Sequence, residues 1–214
     1  MKERPILFSG AMVRDILEGR KTVTRRIIKP SMRSADTQFE LHQQQDGSWR
    51  PMHTFDESSM DHLGTEHPIA CPYGQIGDRL WVRESFADLQ GTGIEHRPDP
   101  AGPLQRYAFA ADSPPGSASD EGRKDFGIKW KPSIHMPRAV CRILLEITGL
   151  RVERLQVITT EQLIAEGLQT RLREYDAECD LLHQWKELWA SLNGEESWDA
   201  NPWVWVVEFK RIEA

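Results

Sequence analysis

The chain has 214 residues, enough for one domain that buries a core without disulfide or metal staples. With 39% hydrophobic residues and eight tryptophans it reads as a folded protein, and its net charge of −6 argues against a coat for a long phosphate backbone. No apolar run approaches the roughly 20 residues of a membrane span. The start, MKERPILFSGAM, has no signal-peptide core, and Cys71, Cys141 and Cys179 are too few and too scattered for a disulfide framework, so a cytoplasmic protein is expected.

RPILF (Arg4 to Phe8) predicts a short strand. Ser9 offers an N-cap to a helix whose apolar stripe is Met12, Val13, Ile16 and Leu17, and Gly19 stands where that helix would end. TVTRRII then predicts a second strand. It lies inside EGRKTVTRRIIK, which concentrates Arg20, Lys21, Arg25, Arg26 and Lys29 in an acidic chain. From about 30 to 77 the periodicity fails in favour of His, Gln, Ser, Asp and Gly, which reads as an insertion or long loop. DRLWVRESF (Asp78 to Phe86) restores a strong strand. A second variable insertion, about 87 to 127, holds a short strand at QRYAFAA and the polar loop DSPPGSASDEGRKD. RAVCRILLEITGLRVERL predicts a strand, a turn near Gly149 and a further strand. Thr159 and Gln162 form a capping box for a short helix closing at Gly167. A longer helix, about Tyr175 to Leu192, carries Leu181, Leu182, Trp185, Leu188, Trp189 and Leu192 on one face and stops at Asn193-Gly194. PWVWVVEFK alternates as a final strand. About six strands and two or three helices suggest a mixed α+β chain forming one domain over 1–214, with a small barrel and helices packed outside.

Strand parity puts Glu84 on one face with Leu80, Val82 and Phe86. A carboxylate on an apolar face needs a cation or a proton, as a structural salt bridge or as a functional acid in a cleft. In the cationic segment, parity sets Thr24 and Arg26 on one side and Arg25 on the other, with Lys21 delivered from the turn after Gly19. Trp81, Trp130, Trp203 and Trp205 are candidates to stack on a nucleobase or to fill the core, and His135, between prolines before a strand, is a candidate for a pocket mouth. His53, His62, His67 and Cys71 have zinc chemistry but no tight paired-ligand spacing, so no metal and no other cofactor is assigned. There is no phosphate loop, dinucleotide fingerprint or nucleophile elbow.

GRKTVTRR, with Gly19, Lys21 and Thr24 in Gly-x-Lys-x-x-Thr spacing, resembles ASCH-domain proteins. CPYGQIGDRLWVRESF, WKPSIHMPRAVCRILLEITGLRVERLQVIT, LIAEGL and NPWVWVVEFKR resemble the longer members carried by phages and prophages. The resemblance implies a PUA-like β-barrel. It also implies amidohydrolase activity on N4-acetylcytidine and related nucleosides, with Lys21, Thr24 and Glu84 as catalytic residues and Arg26 against substrate. On that reading Lys21, tuned by Arg20, Arg26 and desolvation, is the base for Thr24 or a water, Glu84 returns a proton to the exocyclic amine, and Arg26 steadies the oxyanion; Trp81 and His135 are assigned to substrate binding. Because another ASCH member is a ribonuclease and the superfamily largely binds RNA, the alternatives are an RNA- or nucleotide-binding module and a non-catalytic interaction scaffold.

Overall fold

The computed structural model describes residues 1–29, 37–55, 66–98 and 101–213. It is a mixed α+β structure with ten strands among the described residues: β1 (Glu3–Leu7), β2 (Val23–Ile27), β3 (Thr37–Gln43), β4 (Trp49–Phe55), β5 (Glu66–Pro68), β6 (Arg79–Arg83), β7 (Phe86–Asp88), β8 (Tyr107–Phe109), β9 (Leu144–Arg154) and β10 (Trp203–Ile212). The helices are α1 (Gly10–Leu17), α2 (Ala118–Asp125), α3 (Thr160–Ala165) and α4 (Glu174–Asn193). The main sheet has five strands in the order β1-β6-β9-β10-β2, and two smaller sheets are β3-β4-β5 and β7-β8. With β1 and β2 as its two edges, the main sheet is open among the described residues. No helix among them is long and apolar enough to cross a membrane.

The chain divides into two compact units, one of Met1–Lys21, Asp78–Glu146 and Lys210–Ala214, the other of Thr22–Gly77 and Ile147–Phe209. In the first, β1 runs parallel to β6, with Leu7 opposite Arg83, and β6 runs antiparallel to β9, with Leu80 opposite Leu145. Ser9 caps α1 by accepting from the Met12 N–H, and Val13 and Ile16 turn its apolar face inward. Phe86, Phe109, Met136 and Val140 form a further cluster. In the second unit β2 pairs antiparallel with β10, Thr24 opposite Val207. Its core joins Val23, Val204 and Val206 of that pair to Leu163 of α3 and to Leu181, Trp185 and Trp189 of α4. Trp185 and Trp189, one helical turn apart, lie 5.6 Å between ring centroids. Gly194, at φ 98°, ends α4 in a conformation that disfavours a side chain.

Four local expectations change. The stretch taken as an insertion or long loop contains the β3–β4 hairpin, closed by Gln44 to Ser48; β3 alternates at Phe39 and Leu41, while Pro51 and His53 break the alternation of β4. DSPPGSASDEGRKD contains α2, capped by Ser117 and held by Asp120, which pairs with Arg123 and Lys124 three and four residues on. β9 runs straight through Gly149, which is a close approach rather than a turn: a Cβ there would lie 2.5 Å from a carboxylate oxygen of Glu208. Leu192 of the α4 stripe is 54% exposed, so the buried face ends one turn earlier at Trp189.

Trp185→Ala should destabilise the protein by about 3–5 kcal/mol in urea unfolding, the cost of an aromatic-sized hole in a packed core. Asp88 supplies a pH signature: the Arg106 side chain and the Gln90 N–H hold its carboxyl down to about 2 from an ordinary 3.8. The folded state therefore binds this proton less tightly than the unfolded chain. The stability gap between the parent and Asp88→Asn should be constant above about pH 4 and close as pH falls toward 2, as read by unfolding curves across that range.

Candidate functional site

Glu84 follows β6 at the break before β7, and the inward alternation of Leu80 and Val82 carries through it to Phe86. It is 1% exposed. The cation that meets it is Arg142, just before β9: Nε donates to Oε1 at 2.8 Å and Nη2 to Oε2 at 2.9 Å. Arg142 also donates to both oxygens of Asp112, at 2.7 and 3.0 Å, and its guanidinium lies 4.0 Å from the Phe109 ring centroid. Burial pushes the Glu84 carboxyl above its ordinary range, with Asp112 acting the same way, while the Arg142 hydrogen bonds pull it down. The cation or proton that the inward carboxylate calls for is thus met by the guanidinium of Arg142. Antiparallel pairing of β6 with β9, continued by the Val82 N–H to the Ile143 carbonyl, is what delivers it.

Lys21 arrives from the turn after α1, where the Arg20 and Lys21 N–H groups both donate to the Asp15 carbonyl. It is 2% exposed, with Nζ 5.9 Å from the Phe8 ring centroid. The Phe8 N–H in turn donates to the carbonyl of Arg83, the residue before Glu84. Within the first unit, then, Phe8 has the Lys21 amine near its ring and its backbone N–H on the residue before Glu84.

Thr24 and Arg26 sit on β2 in the second unit, Thr24 buried and Arg26 half-buried. Burial lowers the Arg26 guanidinium below its usual range, opposed by Tyr73 and Glu166, and burial raises the Tyr73 phenol. Arg25, of opposite parity, is fully buried: it donates to Glu166 at 3.2 Å, Gln162 at 2.6 Å and Glu153 at 3.4 Å. Arg20 pairs with Asp15 and Glu18. The cations of EGRKTVTRRIIK thus include two with carboxylates of their own, Arg20 on neighbouring residues and Arg25 on residues far along the chain.

This second unit also has a pocket of about 260 Å3, lined by Thr22, Thr148, Arg151, Gln162, Glu208 and Phe209 among others. Arg151 is bound there by Glu153 and Glu208, so the pocket does not present an isolated cation to a phosphate.

Trp81 lies on the opposite side of β6 from Glu84, with the Arg83 guanidinium 5.4 Å from its ring centroid. Arg83 also donates to the Ile134 carbonyl, in the helical turn Ser133–His135 where His135 is exposed. Trp81 and the His135 turn are therefore neighbours through Arg83, and strand parity separates Trp81 from the Glu84 side. Guanidinium groups also lie 5.1 Å from Trp130 and 4.5 Å from Trp203, while Trp205 is buried. Of the zinc-type residues, His53 and His67 are register partners on β4 and β5, Cys71 is buried, and His62 lies outside the described residues. Among the described residues no three His, Cys, Asp or Glu are grouped to hold a metal ion.

Comparison of the chain with protein-family models, with curated proteins and with solved structures finds no match.

The Arg25 network makes a prediction of its own. Glu166→Ala removes a buried partner and leaves the charge to Gln162 and Glu153, so stability should fall by about 3 kcal/mol in chemical denaturation.

Proposed function

We propose that the protein is an amidohydrolase of the ASCH type, with a PUA-like fold, that removes an acyl group from the exocyclic amine of an N4-acylated cytosine nucleoside. The observation that carries this reading is the deep burial of two ionisable side chains in the first unit, Lys21 at 2% and Glu84 at 1% exposure. Burying an amine and a carboxylic acid is expensive where only structure is at stake, and amide hydrolysis has a use for both.

The step balances with water as co-substrate. The Lys21 amine takes a proton as water oxygen bonds to the acyl carbon. The tetrahedral adduct collapses by breaking the bond between that carbon and N4. Glu84 hands its proton to N4, so the products are the free cytosine amine and the carboxylic acid. A carboxyl raised by burial suits a group that must hold a proton and give it up. The resemblance adds Thr24, as nucleophile or as holder of the water, and Arg26, as support for the oxyanion. Those two roles rest on the Gly19-Lys21-Thr24 spacing and the arginine beside it.

Purified protein incubated with N4-acetylcytidine should release cytidine, followed by chromatography. Lys21→Ala and Glu84→Gln should each lower kcat about 100-fold or more, the usual worth of a general base or acid. Absence of cytidine, or full activity in Lys21→Ala, would overturn the reading. Salt-sensitive RNA binding by an inactive protein would instead favour the nucleic-acid module.

A further inference from the structure

The geometry points to Arg142, backed by Asp112, as the positioning residue for Glu84: it holds both carboxyl oxygens and is itself held from the opposite edge. This builds on the amidohydrolase reading for what the fixed carboxyl accomplishes, and on distances alone for how it is fixed.

A glutamate side chain has three rotatable bonds, and an apolar wall does not choose among their settings. The fork of Arg142 does. Two parallel donors, 2.8 and 2.9 Å long, reach the two oxygens of Glu84 and define the plane of the carboxyl as well as its place. Arg142 has little freedom of its own. Its other edge is bound to Asp112 by bonds of 2.7 and 3.0 Å, and its flat face rests 4.0 Å from the Phe109 centroid. From the remaining side, the Glu84 N–H points to the Met136 sulfur at 3.2 Å.

Asp112 matters most when Glu84 carries a proton. The attraction between Glu84 and Arg142 then weakens, and an arginine without a second anchor would swing toward solvent. With Asp112 in place the fork stays, and the carboxyl returns to the same position after the proton has gone. Asp112 lies nearer the solvent than Glu84, so the anchor can be altered without opening the core.

The charged and titratable groups around Glu84 act in opposed directions. Arg142 favours the ionised form and Asp112 the neutral one; the Cys141 thiol, itself raised by burial, lies close enough to feel Glu84. Removing Asp112 should therefore make Glu84 more acidic, and removing Arg142 should make it less so.

The test uses the full chain with carbon-13-labelled glutamate carboxyls. The Glu84 signal is assigned by its loss in Glu84→Gln, and its titration is followed alongside kcat and KM for N4-acetylcytidine over pH. In Arg142→Gln the Glu84 titration should move up, with kcat down about tenfold or more and KM within about twofold. Arg142→Lys should recover part of the titration and little of kcat, because a point charge lacks the fork. In Asp112→Asn the titration, and the limb of the pH–rate profile that follows it, should move down.

A Glu84 titration unmoved in Asp112→Asn, or a parent-like kcat in Arg142→Gln, overturns the proposal. Should Arg142→Gln fail to fold, Asp112→Asn decides. Shifted titrations in a protein that releases no cytidine would refute the hydrolase reading while leaving the hold of Arg142 on Glu84 intact. An active protein with unmoved titrations would refute this proposal alone.

Discussion

Burying a carboxylate costs several kcal/mol unless a cation and enough hydrogen bonds come with it, and both units of this chain meet that condition. In the first, Glu84 is inside with Arg142. In the second, Glu166 is inside with Arg25. The second network also fixes secondary structure. The Gln162 side-chain oxygen that accepts from Arg25 at 2.6 Å accepts the Thr159 N–H at 3.1 Å, which is half of the α3 capping box. The far end of the same helix receives the Thr22 N–H at the Ala165 carbonyl. A charge on β2, the cap of α3 and the entry to β2 therefore depend on one another.

Much of the fold was legible wherever the local signal and the buried face agree. α1 has its Ser9 cap and stripe, α3 its box, α4 its leucines and tryptophans, and β10 a run of β-branched and aromatic residues buried on both faces from Val204 to Val207. What hid the rest is equally physical. The β3–β4 hairpin alternates at Phe39 and Leu41 in β3, but in β4 Pro51 and His53 interrupt the pattern between Trp49 and Phe55. α2 is held by charge pairs from Asp120, which a search for apolar periodicity passes over. At Gly149 the glycine serves side-chain space beside Glu208, and composition alone cannot separate that use from a turn.

The candidate site divides along the same line. Parity located Glu84 as an inward carboxyl, and the Lys21 turn followed from Gly19 and the helix before it, because both are short-range facts. The partner of Glu84 lies 58 positions along the chain and depends on the register of β6 against β9. Once that register is known, Arg142 is the cation beyond the paired ends. Without it, nearness in sequence favours the arginines around Lys21, although two of the local cations, Arg20 and Arg25, have carboxylates of their own.

The same accounting bears on the kind of ligand. Nucleic acid binding draws its affinity from cations that exchange counterions for phosphates, and a cation already held by a carboxylate gains less by that exchange. Among the described residues, Arg20, Arg25, Arg106, Arg123, Arg138, Arg142 and Arg151 each hold at least one carboxylate. The half-buried faces proposed to stack bases, Trp81, Trp130 and Trp203, already have guanidinium groups over them. A net charge of −6, with these seven arginines already on carboxylates, weighs against gripping a polyanion by its backbone. A ligand recognised through a buried amine and a fixed carboxyl, with little phosphate to offer, suits this distribution better. On the proposed reading, a modified nucleoside meets that requirement and a long RNA does not.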